Sequence, residues 1–337
     1  MVDYLLTIAI PTYNGAKTIN RMLSLLLPQC DDRVEILVVD NASTDNTSEI
    51  VNEAVKDYTF VQYIRNERNI GPDSNFLKCM NLAQGKYTFL LSDDDVLMEG
   101  KLKYILELLA KEEISLVYLN AKGFYETYID EQHCISYERA IYDNRIFSTF
   151  STKEFMDYAG RMWGFLSCFI CNTQVFKSLT GVDKYKGSNW LQSYIHIMCA
   201  AGGTKRLGVV GVPCIGAGIY SIVSNFDSAR VDGKSYRAML DFAIENGFDK
   251  KQLDELYQWR ICFISKRAIV KERAAGTKKT SIRGLFEATR KYPYCWIHLY
   301  PYFFAPGFIC RIVVNRNKKR KKYKDELHVN RVGDVQG

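Results

Sequence analysis

Ser92-Asp93-Asp94-Asp95 puts three carboxylates side by side, directly after the apolar run 87–91 (YTFLL). Like charges at this spacing repel, and a cation offsets that repulsion. Hard oxygen ligands suit Mg²⁺ or Mn²⁺, ions that usually complete their shell with substrate phosphates. Taken alone, the run also reads as an exposed acidic turn capping the next helix. Two more polar clusters follow apolar runs in the same way. Thr12, Tyr13 and Asn14 follow residues 5–10 (LLTIAI), and Asp40 and Asn41 follow residues 35–39 (EILVV). No P-loop and no G-x-G-x-x-G follows the first run, so the common nucleotide cradles are absent. A nucleotide bound here would rely on the strand-end polar groups and a metal.

The elements that must position these residues follow from hydrophobic spacing. Short apolar runs at 5–10, 35–39, 60–64, 87–91 and 115–119 read as buried strands. Between them, 18–27, a segment capped by Asp45, 74–83 and 101–110 carry apolar residues at helical spacing. Strands alternating with helices imply a mostly parallel sheet flanked by helices, with ligands at the carboxyl ends of its strands. Beyond residue 120 the pattern weakens. Strands are expected near 165–171 and 207–212, and helices over 190–201, 236–246 and 251–273.

Composition narrows the class. With 337 residues, 47% hydrophobic and 25% charged, the chain is long enough for about two domains and too apolar for a disordered one. Ten dispersed cysteines fit reduced cytosolic thiols, and residues 1–10 lack the pattern of a signal peptide. Cys168 and Cys171 read as buried free thiols, because no second pair at zinc spacing accompanies them. Residues 1–100 carry 8 Lys/Arg and 15 Asp/Glu, whereas residues 257–324 carry 18 Lys/Arg and two acids, Glu272 and Glu287. A tail this basic should meet something anionic. Residues 292–314 are aromatic and apolar, interrupted by Pro293, His298, Pro301, Pro306 and Arg311, and a Lys/Arg cluster follows. That suits a shallow anchor on an anionic membrane surface better than a full span. The alternative is a core segment with a solvated tail. No nucleic-acid-binding pattern accompanies the basic residues, so no nucleic acid partner is expected.

The stretches TIAIPTYNGAKTI, EILVVDNASTDNT, RNIGPDSNF and AQGKYTFLLSDDDVL, in this order, resemble family 2 glycosyltransferases of the glycosyltransferase A fold. The resemblance covers the first 120 residues well and 160–215 loosely. It implies an α/β nucleotide-diphospho-sugar transferase fold with a mostly parallel central sheet and a helical, basic C-terminal extension. Residues 1–120 would bind the nucleotide sugar. Residues 121–230 would form the acceptor-side half of the same domain, and 231–337 the extension.

Residue by residue, the resemblance places Pro11, Thr12 and Tyr13 against the nucleoside, and Asp40 and Asn41 on base and ribose. Many relatives carry a second Asp where this chain has Asn41, which leaves uridine, thymidine and guanosine open. Asn69 and Asn75 bound a segment lining the ribose-diphosphate. The metal motif falls on 92–95, with Asp94 as main ligand, Asp93 or Asp95 assisting, and Asp93 also beside the substrate. The family's catalytic base starts a helix, yet the matching region 187–192 (GSNWLQ) has no carboxylate. Asp183 and His196 are the nearby titratable groups; a turn residue and a core histidine are their plainer readings. The implied function is metal-dependent, inverting transfer of a sugar from a nucleoside-diphosphate sugar to a glycan acceptor, lipid-linked, in surface polysaccharide synthesis. The setting would be cytoplasmic and peripheral, at the inner face of the cell membrane. Two alternatives stand beside it. A sugar-phosphate nucleotidyltransferase would want a Gly-rich basic loop, where 11–17 offers only Gly15 and Lys17. A non-catalytic scaffold protein is favoured by the missing carboxylate.

Overall fold

The computed structural model describes residues 4–56, 58–124, 127–136, 145–147, 152–204, 206–218, 227–278 and 280–316. The chain divides into two compact units, Met1–Tyr220 with Glu245–Phe248, and Ser221–Ile244 with Asp249–Gly337.

The first unit opens with β1 (Leu6–Thr12), α1 (Ile19–Leu26), β2 (Val34–Asp40), α2 (Thr47–Val55), β3 (Val61–Arg65), α3 (Pro72–Leu82), β4 (Tyr87–Leu90), the short β5 (Val96–Leu97) and α4 (Lys101–Lys111). β1, β2 and β4 are buried along their whole length, which is why they read as continuous apolar runs. α1 buries Ile19, Met22, Leu23 and Leu26, the i, i+3, i+4, i+7 stripe of a helix lying on a sheet. α3 starts at Pro72, and Gly71 before it has φ 83°, a left-handed conformation suited to glycine.

β6 (Leu116–Phe124), β7 (Ile135–Ser136), β8 (Arg145–Phe147), α5 (Thr152–Ala159), β9 (Phe169–Asn172), α6 (Thr173–Lys177), α7 (Leu191–Ala201) and β10 (Leu207–Gly218) complete the unit. The strands lie in the order β3-β2-β1-β4-β9-β6-β10-β5, with β7 on β6 and β8 on β10. The first four are parallel, as the strand–helix alternation requires. Beyond them the sheet is mixed: β9 runs antiparallel to both β4 and β6, while β6 and β10 are parallel.

β1 does not stop at Pro11. On one side it stays paired with β2 through Thr12–Asp40, but β4 leaves its other side after Ala9–Leu90. Proline has no N–H for a ladder, so it fits where a neighbouring strand departs. After a last bond from Leu91 N to Ala9 O, residues 92–95 leave the sheet as a loop.

The second unit is helical: α8 (Tyr236–Glu245, of which residue 245 belongs to the first unit), α9 (Lys250–Arg260), α10 (Lys266–Ala275), α11 (Ile282–Thr289), α12 (Pro293–His298) and a helix over 307–316. The long helix expected over 251–273 is two segments joined by a π-helical turn at Ile261–Ser265.

Candidate functional site

The carboxyl ends of β1, β2 and β4 meet at one rim, and side-chain hydrogen bonds tie the loops after them together. Thr12 Oγ1 donates to Asp93 Oδ2 at 2.5 Å, which joins the end of β1 to the acidic loop. This pair packs against Gly15. A Cβ there would come within 2.2 Å of Asp93 Oδ2 and 2.5 Å of Thr12 Oγ1, so no larger residue fits without moving them. The sequence reading treated Gly15 only as part of an absent phosphate loop. The Asn-Gly pair after the strand was the available signal. Asn14 has φ 55°, and its Oδ1 accepts from Thr44 N, while its own N–H donates to Ser43 Oγ. The β1 and β2 loops are thereby cross-linked. Tyr13 is 47% exposed beside them, leaving a ring face open to a planar partner.

Asp40 is fully buried. Its Oδ1 accepts from the N–H and Oγ of Ser43, and its Oδ2 from Tyr63 Oη at 2.6 Å, with Arg65 at 3.6 Å. The carboxylate thus shapes the turn that follows it.

Asn41 belongs to a chain of amides. Its Oδ1 accepts from Ile70 N and Asn66 Nδ2, and its Nδ2 donates to Asn69 Oδ1. Asn66 Nδ2 also reaches Asn75 Oδ1, and Asn75 Nδ2 donates to Val39 O in β2. Lys78 Nζ donates to Asn66 Oδ1 at 2.7 Å. Asn41, Asn69 and Asn75 were candidates for the donor. The structure brings them together through Asn66, which the sequence reading passed over. An amide at 41 both accepts and donates here, which an ionised carboxylate cannot do.

The three acidic residues of the loop have different surroundings. Asp94 accepts from Ser92 Oγ at 2.5 Å, and Arg21 of α1 reaches its carbonyl. Burial pushes Asp93 up to about 6; the Thr12 bond opposes this and the neighbouring Asp94 charge adds to it. Burial and the Asp94 charge push Asp95 up to about 7. Asp95 was expected to assist as a metal ligand. Each of its oxygens accepts from one protein donor, Ser167 Oγ at 2.6 Å and Gly218 N at 2.9 Å, so ligation would use the remaining lone pairs. It braces the acidic loop against the turn before β9 and the end of β10. Among the described residues no three His, Cys, Asp or Glu side chains converge on one point. Crowded carboxylates in a low-dielectric setting suit a cation whose remaining ligands come from a substrate diphosphate.

No side-chain hydrogen bond among the described residues links the acceptor-side candidates Asp183 and His196 to the Thr12–Asp93 pair. His196 lies within α7, buried, with the Phe169 ring tilted against it at 4.3 Å and Trp163 edge-on at 6.3 Å. Burial lowers it to about 3, and its Nδ1 has no hydrogen-bond partner among the described residues. The expectation of a catalytic His196 is therefore corrected: it is a neutral core residue, because an apolar aromatic cage disfavours the charged imidazole. Asp183 sits on a 3-10 turn, 77% exposed, paired with Lys186. Gly187 N donates to Asp73 Oδ2 of α3 at 2.6 Å, tying the segment before α7 to the donor half. Cys168 and Cys171 are buried and free.

Comparison with known proteins adds a family and a fold. The Glycosyl transferase family 2 sequence profile matches residues 7–169. Abequosyltransferase RfbV of Salmonella typhimurium is 38% identical over 101 residues, 29% of this chain and 30% of that protein. UDP-Glc:alpha-D-GlcNAc-diphosphoundecaprenol beta-1,3-glucosyltransferase WfgD of Escherichia coli is 32% identical over 120 residues, 36% of this chain and 47% of that protein. The aligned regions thus span under half the length of these relatives. The crystal structure of S. aureus TarS 1-349 in complex with UDP-GlcNAc superposes with a TM-score of 0.60 at 15% identity, covering 88% of this chain and 82% of that one. At that identity the likeness concerns the fold, and the nucleotide-diphospho-sugar transferase architecture expected from the sequence holds.

Proposed function

From the match of residues 7–169 to the Glycosyl transferase family 2 profile, we propose that the chain is a metal-dependent, inverting glycosyltransferase of that family. It takes a sugar from a nucleoside diphosphate and adds it to a lipid-linked glycan in surface polysaccharide synthesis, peripherally at the cytoplasmic face of the membrane. The observation that carries this reading is the Thr12–Asp93 hydrogen bond. It joins the nucleoside-side turn to the acidic loop at a single rim, where a nucleotide and its diphosphate would lie together. The relatives' printed activities, transfer of abequose and transfer of glucose from UDP to a diphosphoundecaprenol-linked sugar, support the donor and acceptor classes.

The roles follow from the geometry. The exposed Tyr13 ring offers a face for the base. Asn41, Asn66, Asn69 and Asn75 hold the 66–71 loop in shape, and Asp40 holds the 41–45 turn. Asp94, with Asp93 beside it, would hold Mg²⁺ or Mn²⁺. Such an ion, when bound, stabilises the negative charge that builds on the leaving diphosphate. Asp95 keeps the loop in place through Ser167 and Gly218. Asp183, the solvent-facing carboxylate ahead of α7, accepts the proton of the attacking hydroxyl.

A panel of nucleoside-diphosphate sugars, assayed for transfer and for hydrolysis with Mn²⁺, Mg²⁺ or EDTA, tests this. Turnover of one donor, lost in EDTA, is the expected result. Turnover that persists in EDTA removes the metal. Tight nucleotide binding without turnover of any donor favours a non-catalytic scaffold, the second reading, which the carboxylate-free start of α7 supports.

A further inference from the structure

The second unit carries an apolar surface that its own fold does not cover. Phe286 of α11 lies 6.4 Å from Trp296 and 5.4 Å from Tyr300, and Tyr300 stacks on Phe303 at 5.1 Å, so the rings form one connected cluster. Trp296 of this cluster is 54% exposed, and its sequence neighbours Ile297 and Phe304 are 72% and 82% exposed. The Trp296 indole N–H is satisfied by Arg290 O, which leaves the ring free to meet an apolar phase. α12 turns Cys295 inward, 3.6 Å from Cys262, and Ile297 outward. The helix over 307–316 repeats the arrangement, with Cys310 inward and Phe308 and Ile312 outward. Soluble surfaces rarely leave this much aromatic and branched side chain uncovered without a partner.

We propose that this face of α11, α12 and the 307–316 helix is a lipid-insertion surface that lies in the plane of an anionic bilayer. The proposal deepens the reading of a peripheral enzyme with a lipid-linked acceptor, and rests on it, by assigning the surface and its mode of contact. Two observations choose lipid as the occupant. First, apart from Glu287 of α11, which pairs with Arg283, the charge along residues 283–324 has one sign. Between Glu287 and Asp325 the sequence has no acid, while Arg290, Lys291, Arg311 and Arg316 are followed by five consecutive basic residues at 318–322. A second copy docking isologously would set these bases against one another, whereas anionic headgroups neutralise them. Second, the residue types are those of a membrane interface, Trp and Tyr among aliphatic side chains. Among the described residues no helix is long and apolar enough to cross a membrane, so contact is in-plane.

The experiment uses the full chain with vesicles of equal parts phosphatidylglycerol and phosphatidylcholine, and of phosphatidylcholine alone. Co-sedimentation should favour the anionic vesicles and weaken as salt rises. Lipid brominated in the upper acyl chain should quench Trp fluorescence, and Trp296→Phe should remove most of that quenching. The pair Ile297→Asp and Ile312→Asp should lower partitioning by about 10- to 100-fold. Donor-sugar hydrolysis and the melting temperature should stay unchanged. The proposal is overturned by equal vesicle binding of the folded double variant and the parent. It is overturned equally by a parent that ignores vesicles but dimerises through this face, with the variant monomeric. Should the double variant unfold, Trp296 quenching in the parent chain decides alone. A chain that binds anionic vesicles through Trp296 yet turns over no sugar nucleotide keeps the surface and removes the enzymatic reading.

Discussion

The donor rim and the segment before α7 treat their polar residues in opposite ways. At the rim, Thr12, Asp40, Asn41, Asn75 and Asp95 are all buried, and each is held by partners from another loop or strand. Of the two acid–base candidates before and within α7, Asp183 is out in solvent and His196 is sealed in the core. A site for a rigid, charged nucleotide gains from groups fixed in advance, because little reorganisation is needed when charge develops. A surface that admitted a large, variable acceptor, as proposed, would gain less from such bracing. Under the proposed function, the difference teaches that the groups offered to the donor, Tyr13 and Asp94, are held by a layer of side chains that do no chemistry themselves.

The largest effect should come from Asp94→Asn. Losing the carboxylate most available to a metal should cut transfer by about 100- to 1,000-fold while the melting temperature holds. Full activity would move the metal elsewhere. Next, Asp183→Asn should lower kcat by about 100-fold with little change in KM. An unaltered kcat would show that the acceptor side supplies no base from this turn and would sharpen the contrast between the two regions. Third, Asn66→Leu leaves Asn75 Oδ1 and Lys78 without their partner, and should cost about 1–3 kcal/mol in chemical denaturation. It should also weaken nucleoside diphosphate binding in calorimetry. Stability and affinity both equal to the parent would mean that the amide chain is not a brace.

The smallest effect concerns His196. Its folded-state value is depressed from 6.5 to about 3, so in that window the unfolded chain holds the proton and the folded chain does not. Stability should therefore fall as pH drops below about 6.5, by at most about 1.4 kcal/mol per pH unit from this group. His196→Phe should make the acid limb of the stability profile shallower without changing kcat at neutral pH. An unchanged limb would show that the imidazole reaches water after all.

Much of the donor half was legible in the sequence because its logic is local. Buried parallel strands read as unbroken apolar runs, and their helices show a 3.6-residue stripe, so β1, β2, β4, α1 and α4 stand where the pattern puts them. Polar residues at the ends of such runs must lie on one rim, which located Thr12, Asp40 and the acidic loop. β9 was harder to read. It is a short strand after a 3-10 turn, and nothing in its own residues says that it inserts antiparallel between β4 and β6.

What the sequence determined by itself was residue type at strand ends: three carboxylates after β4, an amide at 41, and no carboxylate over 187–192. Which of these groups are available and which are already spoken for was decided only by the tertiary structure. Asp93, Asp94 and Asp95 are neighbours in sequence, but Asp93 turns to Thr12, Asp94 to Ser92 and Asp95 to Ser167 and Gly218. Asp95 meets partners 72 and 123 residues away, and Asn41 meets Asn66 and Asn69 from beyond α2 and β3. A hydrogen bond depends on distance and direction in space. Where the partners lie far apart along the chain, only the packed sheet brings them within reach.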